Sequence, residues 1–151
     1  MSLELFESFL EKVSPYGYRV KCYFMQKPVP DFSDMAAVED IKAAIDYLAR
    51  MSEKYQVTVN MHLNPTYAAY GTPLEKSFYE GRFTPPQLID VAKAVYHASG
   101  KKLSIFVGLY DEGLAVEGGS FIREGDRLLL TILEEFNSKQ DFQILGELFL
   151  E

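Results

Sequence analysis

The residue types best suited to chemistry lie in three segments that follow apolar, strand-like runs. They are Gln26-Lys27-Pro28-Val29-Pro30, Asn64-Pro65-Thr66-Tyr67 and Tyr110-Asp111-Glu112-Gly113. Ligands of α/β proteins bind where the carboxyl ends of parallel strands meet, so these segments are the first candidates for a site.

Each candidate group has a chemical and a plainer interpretation. Lys27 suits a carboxylate or phosphate, and Asp111, Glu112 and Glu117 suit acid–base work or a hard metal ion. Lysines and acidic loop residues are, however, mostly solvated, and Asn-Pro is first a turn signal. Both interpretations stay open on these residues alone.

Imidazole and thiol groups are scarce. The chain has two histidines, His62 and His97, and one cysteine, Cys22, so it predicts neither an internal disulfide nor a metal site built from several such ligands. The glycine-rich nucleotide-binding motifs and the G-x-S-x-G hydrolase motif do not occur. The strongest nucleotide and hydrolase signatures are therefore excluded.

The composition predicts a single acidic globular domain. A length of 151 residues with 48% hydrophobic residues can bury one sizeable core. The net charge of −7 removes the global attraction that drives non-specific nucleic-acid binding, so DNA is not an expected partner.

Neither a membrane span nor a secretion signal is predicted. No apolar run approaches the roughly 18 residues of a membrane helix, and the start MSLELFESFLEKV lacks a positive n-region. We therefore expect a cytoplasmic protein with no membrane partner. Residues 1–3 are expected to be an expression leader and residues 4–151 a single α/β domain.

Hydrophobic periodicity predicts strands that alternate with helices. The predicted helices cover 4–13, 33–54, 72–80, 84–100 and 126–137, the predicted strands cover 18–26, 57–63 and 103–109, and 141–150 stays open between strand and helix. Strands joined by helices of this length form right-handed βαβ units, so the pattern predicts a parallel sheet.

The predicted strands are apolar on one face only. In the second strand, Thr58, Asn60 and His62 point away from the aliphatic side. Parallel strands covered on both faces are apolar throughout, so the polar face meets either water or the interior of a barrel. Three strands cannot close a barrel, which takes eight units in about 250 residues.

Three stretches of the chain carry a family resemblance. They read KCYFMQKPVPDFSDMAAVEDIKAAIDYLA, VTVNMHLNPTYAAYGTPLEKSFYEGRFTPPQLIDVAKAV and IFVGLYDEGLAVEGGSF. Their order resembles the C-terminal half of radical S-adenosylmethionine (radical SAM) Fe–S oxidoreductases, and most of all the subgroup with archaeal tRNA-modifying and related uncharacterised enzymes. The resemblance covers roughly 19–121.

The resemblance implies βα units that form part of a TIM-like (β/α) partial barrel. In that family a [4Fe-4S] cluster, held by a C-x₃-C-x₂-C motif near the first strand, cleaves S-adenosylmethionine to a 5′-deoxyadenosyl radical. This chain lacks the motif, so the cluster-binding half is expected upstream. No catalytic or metal-binding residue is expected here, and the fragment alone should be inactive.

Site residues follow from the same resemblance. The implied cosubstrate contacts are Lys27, Asn60, Asn64 and Thr66, and the residues implied near the substrate are His62, Tyr67, Tyr110 and Glu117.

Two functional hypotheses result. In the first, the chain provides cavity walls in a radical SAM enzyme, with the upstream half as its partner and a small molecule or a tRNA as substrate. In the second, it is a self-sufficient α/β domain for ligand binding or protein interaction without catalysis. An independent acid–base enzyme that uses Asp111 and Glu117 is disfavoured, since no second chemical group is placed to work with them.

Overall fold

The computed structural model describes residues 1–150, which form a parallel sheet and its helices. The elements in chain order are α1 (Leu3–Val13), β1 (Arg19–Gln26), α2 (Asp34–Tyr55), β2 (Thr58–Pro65), α3 (Pro73–Tyr79), α4 (Leu88–Tyr96), β3 (Ser104–Val107), α5 (Arg127–Lys139) and α6 (Phe142–Gly146). Short 3₁₀ turns cover Ser14–Tyr16 and Glu147–Phe149. The predicted α/β class is confirmed, and the segment left open, 141–150, is largely helical.

The three strands are parallel and lie in the order β1-β2-β3. Their register aligns Tyr23 with His62 and His62 with Phe106. Because side chains alternate along a strand, these three residues share the face that also carries Asn60. The one-sided polarity predicted for the strands therefore continues across the whole sheet.

The other face of the sheet packs against the helices. Residues of α2 and α4 meet the aliphatic sides of β2 and β3 in one hydrophobic core, whose largest fully buried members include Ile41, Ile45, Leu48, Met61, Leu63, Leu88 and Ile105. Each such side chain contributes about 1.5–3 kcal/mol when it is fully buried. No helix among residues 1–150 is both long enough and apolar enough to cross a membrane.

The start of one helix, α4, differs from the prediction. Helix α4 was predicted to begin at Thr84 but begins at Leu88, because Pro85 and Pro86 keep the chain extended before it. The Thr84 hydroxyl instead accepts a hydrogen bond from Lys27, at 2.8 Å. Helix α3 begins at Pro73 with Thr72 as its N-cap, as predicted, and Glu75 accepts a hydrogen bond from the Gly71 N–H at 2.7 Å.

Two side-chain amides at the C-terminal end of α5, those of Asn137 and of the C-cap residue Gln140, occupy the outer edge of β3. Asn137 accepts from the Val107 N–H at 2.8 Å and donates to its carbonyl at 2.9 Å. Gln140 does the same at Ile105, at 3.0 and 2.7 Å. These bonds replace a further strand on that side.

The outer edge of β1 has no such cover. Among residues 1–150, no segment pairs with this edge, which lies beside a groove of about 1190 Å³. Helix α1 forms the far wall, where Phe6 packs against Tyr47 of α2 with ring centroids 6.2 Å apart. The groove lining is mostly apolar and includes the half-buried Cys22.

Removing either amide from α5 should destabilise the fold. In Asn137→Ala and Gln140→Ala the backbone groups of Val107 or Ile105 lose their partners, so we expect the free energy of unfolding to fall by about 1–3 kcal/mol in each. Urea denaturation measures this. The exposed neighbour Ser138→Ala is the control and should stay within about 0.5 kcal/mol; an equal loss there would show that the amides contribute nothing specific.

Candidate functional site

A cleft of about 490 Å³ opens where β2 and β3 end. Its lining consists of His62, Asn64, Phe106, Val107, Gly108, Leu109, Tyr110, Glu112, Glu134, Asn137 and Ser138. The volume lies within the range of small-molecule sites, and the position is the one that parallel sheets use for ligands. Of the residues predicted near a substrate or cosubstrate, the cleft brings together His62, Asn64 and Tyr110.

A row of aromatic rings crosses the open sheet face at the base of the cleft. The His62 ring lies 4.9 Å, centroid to centroid, from Tyr23 on one side and from Phe106 on the other. Tyr23 is 69% exposed and Phe106 43% exposed. Next to this row, Asn60 donates a hydrogen bond to the Ser104 hydroxyl at 2.9 Å, so the amide of Asn60 is already engaged.

The surroundings of His62 favour its neutral imidazole. Its Nδ1 atom is buried and has no hydrogen-bond partner within residues 1–150. Burial lowers the pKa of His62, and the nearby charge of Lys21 lowers it further. A positive charge on His62 is therefore disfavoured in the cleft.

Asn64 and Gly108 meet closely where β2 and β3 end. The Gly108 N–H donates to the Leu63 carbonyl at 2.8 Å, and a Cβ on Gly108 would clash with Asn64 Oδ1. Glycine is thus required if Asn64 is to keep this position. Within residues 1–150 no hydrogen bond engages the Asn64 amide, which leaves it available to a ligand.

Tyr67 lies close to the acidic loop that follows β3. Burial raises the pKa of Tyr67, and the charges of Glu112 and Asp111 raise it further. The pKa of Asp111 is itself lowered, by the Ser120 hydroxyl first and then by the Gly113 N–H. These bonds hold the loop in place and favour the charged form of the Asp111 carboxylate.

Tyr110 and Glu117 occupy more open positions. Tyr110 is 78% exposed at the rim of the cleft, whereas Glu117 is exposed and does not belong to the lining.

Lys27 lies in a different cavity, also of about 490 Å³. It is only 5% exposed, and its Nζ donates to Asp34 at 2.7 Å and to Thr84 at 2.8 Å. Its φ of 59° is unusual for a residue other than glycine. Lys27 ties the end of β1 to the start of α2, and a ligand would have to displace these partners to reach it.

Thr66 is buried at the junction of β1 and β2. It is 2% exposed and its Oγ1 has no partner among residues 1–150; the same holds for both amide atoms of Gln26, which is fully buried. The two residues are joined by the Thr66 N–H, which donates to the Gln26 carbonyl at 3.2 Å. Of the four predicted cosubstrate contacts, Asn64 alone presents a free polar group to the cleft.

The chain's residues do not fit an iron–sulfur cluster. Cys22 is the single cysteine, it lies in the groove beside β1, and burial raises the pKa of its thiol. Within residues 1–150, no group of three or more His, Cys, Asp or Glu side chains is arranged to hold a metal ion. Any cluster must therefore take its ligands from elsewhere.

Helix α5 contributes cleft residues that the sequence analysis did not single out. Glu134, Asn137 and Ser138 line the cleft because the amide bonds to β3 hold α5 against that strand. The sequence predicted the helix and its inward apolar residues, but no signal in it identified these polar residues as part of a site.

Comparison with known proteins identifies no relative. No protein-family model matches the chain, and no curated protein matches it significantly.

The charge state of His62 can be measured directly. Because burial and Lys21 both lower its pKa, we expect the His62 imidazole to titrate below about 6.5 and Lys21→Met to move the midpoint upward. NMR of the ring protons measures both, with His97→Gln used to assign the two signals. An unchanged titration midpoint in Lys21→Met would show that the charge of Lys21 does not lower the pKa of His62.

The same shift predicts a pH dependence of stability. A lowered pKa means that the unfolded state binds the proton more readily, so His62 should reduce the free energy of unfolding as pH falls through about 6.5. We expect His62→Phe to weaken that loss in urea denaturation at pH 7.5 and 5.5. If the free energy of unfolding falls between pH 7.5 and 5.5 by the same amount in His62→Phe as in the unmodified chain, another group is responsible.

Proposed function

We propose that this chain forms one wall of the ligand cavity of a radical SAM Fe–S oxidoreductase whose cluster-binding half is the upstream part of the same polypeptide. The observation that supports this proposal is the open sheet face, which lies opposite α2 and α4 and carries the aromatic row, with the cleft where β2 and β3 end. In a TIM-like barrel that face is the interior, and the carboxyl ends of the strands form the active site.

The winding of the sheet supports a larger barrel. Helix α2 of the first crossover and α4 of the second pack together on one face of the sheet, and α1 packs beside α2. With the same right-handed connection, a strand preceding α1 would lie parallel to β1 along its outer edge. The apolar groove between α1 and β1 offers space for such a strand.

The two edges of the sheet differ in a way that fits this proposal. Asn137 and Gln140 occupy the β3 edge, as expected for the last strand of a partial barrel, whereas the β1 edge keeps its backbone groups open. Unpaired edges attract other strands, and proteins usually block those that are not meant to pair.

The chain's own residues would bind and position ligands rather than react. Asn64 would hydrogen-bond the cosubstrate through its free amide, and Tyr67 and Tyr110 would lie beside the substrate. The cluster, bound upstream, would supply the electron that cleaves S-adenosylmethionine. Lys27 and Asn60 would take part only by exchanging their present partners, Asp34 and Ser104.

Other features of the proposal are expectations from the sequence or from the resemblance. A cytoplasmic location, a substrate that is a small molecule or a tRNA, and the inactivity of the chain by itself all stay predictions.

A second candidate is a self-sufficient α/β domain that binds a ligand or protein without catalysis. The continuous core within residues 1–150 and the closed β3 edge favour it. A self-sufficient domain should be a monomer at all concentrations. Under the first proposal, the groove beside β1 is normally covered by the upstream half, so the chain alone should self-associate there. Size-exclusion chromatography over a wide concentration range separates the two.

The radical SAM proposal is tested on the natural polypeptide. We expect its mass to be at least about twice that of this chain and its sequence to carry C-x₃-C-x₂-C. The anaerobically reconstituted protein should form 5′-deoxyadenosine from S-adenosylmethionine. Asn64→Ala should raise the KM for S-adenosylmethionine by about tenfold, which corresponds to one lost hydrogen bond.

Thr58→Ala is the matched control, since Thr58 is exposed at the other end of the same strand. A natural polypeptide without the cysteine motif would refute the family assignment. An unchanged KM in Asn64→Ala would refute the role given to Asn64.

A further inference from the structure

The cleft is negative at every charged position of its lining. Glu112 follows β3 and Glu134 lies on α5, while no Lys or Arg belongs to the lining among residues 1–150. Burial lowers the pKa of His62, which disfavours a positive charge on the imidazole in the cleft lining. A cation would therefore be attracted to the cleft and an anion repelled.

Aromatic surfaces flank these carboxylates. Phe106 is 43% exposed and Tyr110 is 78% exposed, and both belong to the cleft lining. Exposed aromatic faces attract cations as well as apolar groups. The cleft thus combines negative charge with surfaces for a flat or hydrophobic moiety.

The free polar groups of the cleft are mainly acceptors. The carboxylates of Glu112 and Glu134 accept hydrogen bonds, and the Asn64 amide adds one carbonyl oxygen and one NH₂ group. An ammonium group brings three donors, which complement such a set. Gly108 leaves room for the Asn64 side chain at this position, since a Cβ there would clash with Asn64 Oδ1.

A metal ion is a poorer match than an organic cation. Hard metal ions such as Ca²⁺ take six or more oxygen ligands, and Mg²⁺ demands a near-octahedral set. No group of three or more potential metal ligands is found within residues 1–150.

We propose that the cleft binds an organic cation, a protonated amine joined to a flat or apolar group, with its ammonium paired to Glu112 and Glu134 and its apolar part against Phe106 and Tyr110. This inference rests on the proposed function, in which the cleft belongs to the substrate cavity, and it names the charge class of the substrate.

Two probes that differ mainly in charge test the proposal on this chain alone. We expect 2-phenylethylammonium to bind about fivefold more tightly than 2-phenylethanol at low salt, with NMR shifts at the Gly108 and Ser138 amides. Glu112→Gln and Glu134→Gln should each weaken ammonium binding about threefold and leave alcohol binding unchanged.

Glu135→Gln is the matched control, because Glu135 is adjacent on α5, is exposed and pairs with Lys139 at 2.6 Å. It should leave both affinities unchanged. Equal binding of the two probes, or an equal loss in Glu135→Gln, would overturn the proposal.

Failure of the binding test can be distinguished from failure of the family assignment. If the ammonium shows no preference while the natural polypeptide forms 5′-deoxyadenosine, only the charge class is wrong. If the ammonium preference holds and no cluster motif exists, the cleft is the binding site of a self-sufficient domain.

Discussion

The bonds between α5 and the edge of β3 determine both where the sheet ends and where its cleft forms. Asn137 and Gln140 satisfy the backbone of Val107 and Ile105 with four hydrogen bonds between 2.7 and 3.0 Å. Because these bonds hold α5 beside β3, Glu134 comes to line the cleft. The same four bonds thus satisfy the edge of β3 and place α5 along one side of the candidate site.

The β1 edge and the open face of the sheet both leave apolar surface uncovered. A sheet with helices on one side leaves the other side to water or to a barrel interior, and here that side carries a row of aromatic rings rather than a purely polar surface. Exposed rings of this kind and an apolar groove beside an unpaired strand both cost free energy in water. A larger barrel would bury both at once.

Much of the fold could be predicted from local pattern. The alternation along Thr58–Pro65 identified the polar face, and the stripe through Ile41, Ile45 and Leu48 identified the longest helix. These features depend on the period of one element, which the sequence displays directly.

The features that were not predicted depend on contacts between distant segments. The hydrogen bond from Lys27 to Thr84, which lies 57 residues away, is one such contact. The amides of α5 were not recognised because their partners are backbone groups that any sequence possesses. The ambiguous segment 141–150 became helical next to α4 and α5, a choice that its own pattern did not favour.

The central claim is that the outer edge of β1 is paired in the natural protein. Amide hydrogen exchange of residues 19–26, followed by mass spectrometry, tests it in this chain and in the natural polypeptide. The account predicts exchange of the outward-facing amides at least about tenfold slower in the natural polypeptide, since each gains a strand partner. Equal exchange rates in both proteins would contradict it.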